Sequence, residues 1–229
     1  MLHERGISLD ARLMTIAEMV GRCPAVADIG CDHGRLGAFL LQRGWVGRAL
    51  LMDVSDTSLD KARALIRLLG LAQRARFLVC DGAEALDEPI DAAVIAGMGG
   101  ATAAGIVERG RERLGGARLI LQVNVGHPEL RRRLAAAGYR LTDERIVRDG
   151  RRLYVIMEAQ PGKAEYDERE LHVGPILLRR KPRELSDYAA FRLRVARKAL
   201  DGARQGGEAA VISELEREIA IWEEAEMWL

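Results

Sequence analysis

Short apolar segments alternate with amphipathic segments along the first 137 residues of the chain. The apolar segments have the length of buried strands, and the segments between them repeat apolar positions every three or four residues, as helices do. The predicted strands are Ala25–Ile29, Arg48–Met52, Arg76–Cys80, Ala92–Ala96 and Arg118–Val123. The predicted helices, the first capped by Ser8, are Ser8–Gly21, Arg35–Arg43, Thr57–Leu69, Thr102–Arg113 and Pro128–Ala137. Strands that alternate with helices predict an α/β protein, a parallel sheet with helices on both faces.

The pattern changes after Gly138, where two predicted strands follow each other without a helix between them. These strands are Tyr139–Val147 and Leu153–Ala159, and Asp149-Gly150 supplies the turn of a hairpin. A hairpin at the end of a parallel sheet places one antiparallel strand among parallel ones. This arrangement is typical of the Rossmann-like, seven-strand sheet of S-adenosylmethionine-dependent methyltransferases, and dinucleotide-binding dehydrogenases lack it.

The sequence from Lys163 onward has no strand pattern. Apolar residues at helical spacing lie on both sides of Gly206-Gly207, and they are Tyr188, Phe191 and Val195 before it and Ile212, Leu215, Ile219 and Trp222 after it. These two runs predict a pair of antiparallel helices. We therefore expect a Rossmann-like methyltransferase domain over residues 1–160 and a C-terminal antiparallel helical (coiled-coil) domain over residues 161–229.

The composition excludes several classes of protein. The chain has 229 residues and a formal net charge of +1, so it is not a polycation, and a nucleic-acid partner would be held by a local patch. Its three cysteines, Cys23, Cys31 and Cys80, form no CxxC pair and predict neither a disulfide framework nor a metal site. Free thiols, with no signal-peptide pattern and no membrane-length apolar run, predict a cytoplasmic protein. We expect a monomer that binds no membrane.

The residues that follow each strand are the candidates for chemistry, because ligands bind an open parallel sheet beyond the carboxyl ends of its strands. The first strand leads into Asp28-Ile29-Gly30-Cys31-Asp32-His33-Gly34. The glycines let the backbone approach a ligand, but Asp32 stands at the second glycine of the dinucleotide fingerprint and would repel a pyrophosphate. A sulfonium ligand with an amino-acid tail meets no such repulsion. A structural turn with a capping Asp is the alternative.

Acids follow the second and third strands. Asp53, with Val54 beside it, lies about twenty residues after the glycine turn, where an acid commonly accepts hydrogen bonds from ribose hydroxyls. Asp81, followed by Gly82, can accept a hydrogen bond from an adenine amino group. A helix-capping carboxylate is the alternative for Asp53, and an ordinary turn is the alternative for Asp81 and Gly82.

Glycines and amides follow the fourth and fifth strands. The glycine-rich segment Ala96–Gly100 indicates backbone that lines a pocket, although close packing of a helix on a strand is the alternative. Gln122 and Asn124 can donate and accept hydrogen bonds without charge, which suits a base edge, whereas turn chemistry also explains Asn124. The candidate cofactor-binding residues are therefore Asp28, Gly30, Asp32, His33, Asp53, Val54, Asp81, Gly82, Gly97, Met98 and Gly99.

Five parts of the sequence together carry a family resemblance. They are DIGCDHGRL at residues 28–36, Asp53, IAGMGG at 95–100, LILQVN at 119–124 and RLYVIM at 152–157. In this order, over most of residues 8–159, the chain resembles the bacterial tRNA (adenine-N1)-methyltransferases that modify adenine at nucleotide 22 of tRNA, the TrmK family. It departs from the family pattern at Val123, where the family usually has Pro, at Gly34-Arg35 after His33, and at Val155, where the family usually has Glu.

The resemblance implies S-adenosyl-L-methionine as the cofactor and tRNA as the substrate, with N1 of the adenine attacking the methyl group. Asp32 is then the candidate that stabilises the charge developing on the adenine, or that holds the cofactor's ammonium group. Asn124 and Gln122 would orient the adenine edge, and Tyr154 would lie against the base. Three alternatives stay open: a methyltransferase for a small molecule or a protein, a non-catalytic RNA-binding protein with a vestigial nucleotide pocket, and a nicotinamide-dependent oxidoreductase.

Charge is distributed unevenly over the predicted C-terminal helices. Residues 179–204 contain nine Lys or Arg and three acids, whereas the last helix is acidic. Arg194 and Arg197 are the candidates for contacts with tRNA phosphates, which supply much of the affinity of nucleic-acid-binding proteins. A solvated, salt-bridged pair of helices is the alternative interpretation.

Overall fold

The computed structural model describes residues 6–227 and contains two compact units, which divide between Glu165 and Tyr166. The strands are β1 (Cys23–Ile29), β2 (Val46–Asp53), β3 (Ala75–Val79), β4 (Ala92–Met98), β5 (Arg118–Val123), β6 (Tyr139–Asp149) and β7 (Arg152–Pro161). The helices of the first unit are α1 (Ala11–Val20), α2 (Arg35–Gln42), α3 (Asp56–Leu68), α4 (Gly100–Arg109), α5 (Arg111–Leu114) and α6 (His127–Ala136). Those of the second are α7 (Glu168–Val173), α8 (Pro175–Arg180), α9 (Glu184–Gly206) and α10 (Ala209–Glu226).

All seven strands form one sheet in the order β3-β2-β1-β4-β5-β7-β6. The strands from β3 to β5 run parallel, and β7 pairs antiparallel with both β5 and β6. The predicted seven-strand Rossmann-like sheet and its terminal hairpin are therefore confirmed. The strand order reverses at β1, which lies between β2 and β4, and this is where an open sheet of this kind binds its ligand.

Apolar packing on the central strands fixes the carboxyl-end edge of the sheet. The middle of β2, residues 49–52, is fully buried. Helix α2 packs closely on this strand because Gly37 has no side chain: a Cβ there would lie 2.4 Å from Leu51 Cδ2. Asp28 and Asp53 stand at or next to the carboxyl ends of β1 and β2. Burial of the apolar residues before them therefore holds both acids at the same edge.

Two details of the first unit differ from the prediction. Helix α1 begins at Ala11 and is capped by Asp10, whose carboxylate accepts a hydrogen bond from the Leu13 backbone N–H at 2.7 Å, so Ser8 is not the cap. The single helix predicted over Thr102–Arg113 is two helices, which divide at Gly110. The sequence pattern did not indicate this break, because an isolated glycine is tolerated within a helix at a modest cost.

Helices α9 and α10 of the second unit form the predicted antiparallel pair. The rings of Tyr188 and Trp222 lie 5.6 Å apart near one end of the pair, and Arg204 binds Glu216 at 2.8 Å near the other. The coiled-coil character of this pair stays a prediction. Gly207, at φ +71°, ends α9 in the left-handed conformation that favours glycine.

The predicted contact face of α9 is wrong in part. Phe191 and Val195 are 38% and 44% exposed, and only Tyr188 of the predicted run is buried. The buried residues of α9 are Leu185, Tyr188, Ala189, Leu193, Ala196, Leu200 and Ala203. Alanines at intervals of seven residues form much of this face, and their small side chains carry little hydrophobic signal in a sequence pattern. No helix among residues 6–227 is long and apolar enough to span a membrane.

Candidate active site

A cavity of about 350 Å³ opens at the point where the strand order reverses. It is lined by the end of β1 and its loop, the start of α2, the end of β4, and two residues of α1. The lining residues are Arg12, Leu13, Asp28, Gly30, Cys31, Asp32, His33, Arg35, Leu36, Ala96 and Gly97. Five of the predicted cofactor residues, Asp28, Gly30, Asp32, His33 and Gly97, thus line one cavity. Its volume is within the range of small-molecule sites.

The loop after β1 is held open by backbone conformations that glycine favours. Gly30 has φ +74°, and a Cβ there would come 3.1 Å from Met98 Cε. The backbone N–H of Gly30 donates to the Met52 carbonyl at 2.8 Å, which ties the loop to β2. Asp32 is also left-handed, at φ +50°, a conformation that Asp tolerates better than most residues. The loop therefore presents backbone rather than side chains to the cavity at Gly30.

Asp53 ties the end of β2 to the loop after β1. Its Oδ2 accepts a hydrogen bond from the Asp32 backbone N–H at 3.0 Å, and its Oδ1 accepts one from the Ser55 backbone N–H at 2.9 Å. Helix α3 is capped by Ser55, whose hydroxyl accepts from the Ser58 N–H at 3.2 Å. The helix cap is thus a different residue, so the helix-capping alternative for Asp53 loses its main support.

Asp28 is a buried acid in the wall of the cavity, 6% exposed. Burial raises the pKa of its carboxyl to about 7; a hydrogen bond from the Gly37 backbone opposes this rise, and the negative charge of Asp53 adds to it. The Asp28 carboxyl is therefore partly protonated near neutral pH. It can change its charge when a cation approaches.

His33 and Asp32 share the mouth of the cavity with Lys61. The Lys61 ammonium lies 3.0 Å from His33 Nε2, and Asp32 Oδ1 lies 3.4 Å from the same nitrogen. An ammonium group can only donate, so Nε2 accepts in the contact with Lys61. The Asp32 side chain is 72% exposed, which leaves its carboxylate accessible to a ligand. Arg35, the cation that departs from the family pattern, donates to the Ser8 carbonyl at 2.6 Å.

The glycines at the end of β4 and directly after it have different roles. A Cβ at Gly100 would lie 2.2 Å from the Gly126 carbonyl oxygen, so close packing explains this glycine. A Cβ at Gly97 or Gly99 would meet nothing within 4 Å. Gly97 has φ +83° and lies at an irregularity in the pairing of β4 with β5. The packing alternative therefore holds for Gly100, and Gly97 remains available to line the cavity.

Gln122 and Asn124 form part of a hydrogen-bonded chain at the end of β5. Gln122 Nε2 donates to Asn124 Oδ1 at 3.2 Å, and Asn124 Nδ2 donates to the Gly97 carbonyl at 3.0 Å. Arg12 Nη1 donates to Gln122 Oε1 at 2.7 Å. Gln122 is fully buried, whereas Asn124 is exposed. Of these two amides only Asn124 is accessible to a base in this structure, and a contact of Gln122 with the adenine edge stays a prediction.

Several predicted residues lie outside the cavity lining. The Asp81 carboxylate accepts a hydrogen bond from Arg109 Nη2 at 3.0 Å, and both side chains are more than half exposed. Val54 is 68% exposed. Gly82 packs against Ile106, to which a Cβ would come within 3.1 Å. The other predicted cofactor residues outside the lining are Asp53, Met98 and Gly99.

Sequence reasoning missed Arg12 altogether. This arginine lies in α1 and is 110 residues from Gln122 in the chain. Its guanidinium also lies over the half-buried Tyr154 ring, 5.6 Å from the ring centroid. The predicted place of a base against Tyr154 is therefore shared with a cation. No local pattern relates residue 12 to residues 122 and 154. The three side chains come together only when the chain folds.

The basic residues of α9 are partly neutralised by α10. Arg192, Arg197 and Arg204 bind Glu218, Glu223 and Glu216 at 2.6, 2.8 and 2.8 Å. The salt-bridged alternative thus accounts for Arg197, one of the two predicted tRNA contacts. Arg194 instead lies over the Phe191 ring, 5.6 Å from its centroid. In the part of the chain that the structure describes, no cluster of His, Cys, Asp or Glu could hold a metal ion.

The sheet order and the glycine-lined cavity at its reversal define the class of methyltransferases with a Rossmann-like domain, and residues 9–157 match the family described as "Methyltransferase domain". The chain is 33% identical to the tRNA (adenine(22)-N(1))-methyltransferase of Bacillus subtilis (strain 168) over 76% of this chain and 77% of that protein. It therefore belongs to the tRNA (adenine(22)-N(1))-methyltransferase family, and the family resemblance stated from the sequence is confirmed.

Solved structures agree with this assignment. The crystal structure of the B. subtilis M1A22 tRNA methyltransferase TrmK is similar with a TM-score of 0.86 and 27% identity, and the match covers 96% of this chain and 99% of that one. Streptococcus pneumoniae Sp1610 in complex with S-adenosyl-L-methionine has a TM-score of 0.84 and 25% identity, over 94% of this chain and 98% of that one. Both matches span almost the whole chain, including the second unit.

Proposed function

We propose that this protein transfers the methyl group of S-adenosylmethionine to N1 of the adenine at nucleotide 22 of tRNA. The observation that carries the proposal is the acid-rich, glycine-lined cavity at the reversal of the sheet, in a chain of this family. We also propose that the protein acts in the cytoplasm, where its tRNA substrate would be found, and that it acts as a monomer.

The cavity residues suit the proposed methyl donor. Asp28 and Asp32 offer carboxylates to a ligand that carries an ammonium and a sulfonium, and Asp53 ends the strand next to them. Those same acids would repel a pyrophosphate, which argues against a nicotinamide dinucleotide. The Gly30 backbone approaches the cavity where a side chain would meet Met98. These residues would hold the amino-acid tail and ribose of S-adenosylmethionine.

Bound S-adenosylmethionine supplies an electrophilic methyl group, and the protein supplies alignment and charge. N1 of adenine carries a lone pair in the ring plane, so the attack needs no strong base, and alignment with exclusion of water can supply much of the rate. The exposed Asp32 carboxylate would stabilise the positive charge that develops on the adenine. Asn124, held by the Gly97 carbonyl, would position the base edge.

The position of N1 on the Watson–Crick edge demands that the base leave its stack or pair. Extrusion of a base costs a few kcal/mol, which contacts with the rest of the RNA must offset. Phosphate contacts are the usual source of such affinity. Arg194 is the better of the two predicted contacts, because its guanidinium lies over an aromatic ring whereas Arg197 is paired with Glu223.

Charge reversal at Arg194 should weaken tRNA binding. We expect Arg194→Glu to raise the Kd for tRNA about three- to tenfold near physiological salt and to reduce the salt slope of binding by about one. Filter binding over a range of salt concentrations measures both quantities, and cofactor titration provides the control, since its Kd should not change. An unchanged affinity for tRNA would favour the alternative interpretation, in which α9 and α10 are a solvated, salt-bridged pair that does not bind RNA.

Cofactor binding should depend on pH through Asp28. The pKa of the Asp28 carboxyl in the folded protein is about 7, above the ordinary value of 3.8. The protonated carboxyl therefore stabilises the folded state at low pH, and this stabilisation is lost as the pH rises through 7. A cationic ligand prefers the ionised carboxyl, so affinity for S-adenosylmethionine should rise about tenfold from pH 6 to pH 8. Calorimetry in two buffers of different ionisation enthalpy should also detect proton release.

Asp28→Asn provides the control for this pH dependence. The amide does not titrate, so the variant should bind the cofactor with an affinity that is nearly flat over the same range. A flat profile in the unaltered protein, or an equal slope in the variant, would contradict the assignment of the titration to Asp28.

Nucleoside analysis tests the proposed function itself. The protein is incubated with bulk tRNA and methyl-labelled S-adenosylmethionine, and the digested RNA is examined for 1-methyladenosine. A tRNA transcript with A22 should be methylated, and the same transcript with G22 should not. Absence of 1-methyladenosine would contradict the proposed function. Methyl transfer to a protein or a small molecule, without transfer to tRNA, would support the alternative that the chain is a methyltransferase for one of those acceptors.

A further inference from the structure

Arg12 makes contacts that go beyond support of its own helix. It is half-buried, lines the cavity, donates to Gln122 Oε1 at 2.7 Å and lies over the Tyr154 ring. These two partners come from neighbouring strands, β5 and β7, and both were candidates for the substrate side of the site. A cation that binds both from a third element is in a position to control their orientation.

The hydrogen-bonded chain from Arg12 to Gly97 has only one consistent direction. A guanidinium can only donate, so Gln122 must turn its oxygen toward Arg12 and its amide nitrogen toward Asn124. At the other end a backbone carbonyl can only accept, so Asn124 must turn its nitrogen toward Gly97. Both ends therefore impose the same orientation on the two amides between them.

Without Arg12 this orientation would be lost at the Gln122 end. Gln122 is fully buried, and a buried acceptor that loses its partner is costly. A rotation of the Gln122 amide would satisfy the oxygen elsewhere only by breaking the bond to Asn124. Asn124 has one amide hydrogen and one acceptor position left for a ligand, and both move when the amide turns.

We propose that Arg12 is a positioning residue for methyl transfer: through Gln122 it fixes the orientation of the Asn124 amide that faces the target base. The inference rests on the proposed function, because it assigns the exposed amide to the adenine. Arg12 lines the cavity as well, but the role proposed here is exerted through Gln122. The order of action is thus Arg12 of α1, Gln122 of β5 and then the exposed Asn124 that follows β5.

Two substitutions and a conservative variant test this role. Arg12→Met removes the donor and keeps an unbranched side chain, Arg12→Lys restores a donor, and Gln122→Glu keeps the partner of Arg12 but cannot donate to Asn124. Single-turnover methylation of A22-containing tRNA at saturating cofactor should fall about 10- to 100-fold in Arg12→Met, a loss typical of a misplaced reactant. Arg12→Lys should recover most of this rate, and Gln122→Glu should lose at least as much as Arg12→Met.

Side-chain amide NMR gives a readout that does not depend on turnover. The NH₂ resonances of Gln122 and Asn124, assigned with Gln122→Glu and Asn124→Asp, should each show one state in the unaltered protein. In Arg12→Met they should broaden or double, with an intact thermal transition.

The outcomes separate this proposal from the proposed function. Formation of 1-methyladenosine by the unaltered protein establishes the function, whatever the variants do. An unchanged single-turnover rate in Arg12→Met would overturn the positioning role. So would an equal loss in Arg12→Lys together with weakened S-adenosylhomocysteine binding, because Arg12 would then act on the cofactor. Unchanged amide resonances in Arg12→Met would overturn it as well.

Discussion

Replacement of Asp32 by Asn should lower the single-turnover rate of methyl transfer by about 100-fold, which is the usual scale for removing one electrostatic contact to a transition state. The Asp32 carboxylate lines the cavity, and its side chain is 72% exposed. Its negative charge is thus available to the substrate. Rapid-quench assays with labelled S-adenosylmethionine and tRNA measure the effect.

Asn is the right substitution because of the backbone. Asp32 has φ +50°, and Asn adopts this left-handed conformation about as readily as Asp, whereas Ala would add strain. The bond from the Asp32 backbone N–H to Asp53 should therefore survive, and the thermal transition should not change. Asp32→Gly, which also tolerates this conformation, is a second control that removes the whole side chain.

Cofactor affinity distinguishes the two roles that Asp32 can have. If the carboxylate stabilises charge on the adenine, Asp32→Asn should bind S-adenosylmethionine with nearly unchanged affinity and lose rate. If it holds the cofactor's ammonium, affinity should fall together with the rate. Undiminished turnover in Asp32→Asn would exclude both roles.

The positions at the sheet edge were predictable from sequence because local rules govern them. A strand ends where its apolar run ends, and the carboxyl ends of parallel strands meet at one edge. For this reason Asp28, Gly30, Asp32 and Gly97 could be placed around one cavity before any contact was known. The left-handed backbone conformation at residues 30 and 97 explains why glycine stands at both positions.

Residues that act through tertiary contacts were beyond the reach of sequence patterns. Arg12 lies in an amphipathic helix, where an arginine normally means only a solvated face, and its partners are far away in the chain. Gln122 shows the same limit: an amide at a strand end predicts a ligand contact, but its burial and its two side-chain partners are visible only in the structure. Whether a polar residue faces the ligand or supports a residue that does is fixed by packing.

The second unit shows how charge patterns can mislead. Nine cations within residues 179–204 predict a basic face, but whether their charge is available depends on which acids lie opposite. Three arginines of α9 bind glutamates of α10. The pairs of Arg197 and Arg204 are exposed and contribute little stability, whereas Arg192 and Glu218 are largely buried. The glutamates of α10 therefore decide which cations of α9 stay available to a phosphate.

Replacement of Asp53 by Asn should weaken binding of S-adenosylhomocysteine by about 100-fold, because this carboxylate is the proposed acceptor for the ribose hydroxyls, and a hydrogen bond to a charged group is worth roughly 1.5–3 kcal/mol. Both oxygens accept from backbone N–H groups, one at Asp32 and one at Ser55. An amide has only one oxygen, so its NH₂ group would face a backbone N–H and the loop after β1 would lose a tie to β2. The proposed contact with the ribose would be weakened too.

Asp56→Asn provides the matched control for this prediction. Asp56 is an exposed acid only three residues further on, and it binds Arg63 at 2.8 Å outside the cavity lining. Its substitution changes the net charge equally and should leave the S-adenosylhomocysteine Kd within about twofold, since a surface ion pair contributes little. Calorimetric titration compares the two variants. An equal loss of affinity in both variants would mean that Asp53 acts only through its net charge. A Kd for Asp53→Asn within threefold of that of the unaltered protein would show that the junction of β1 and β2 does not hold the cofactor.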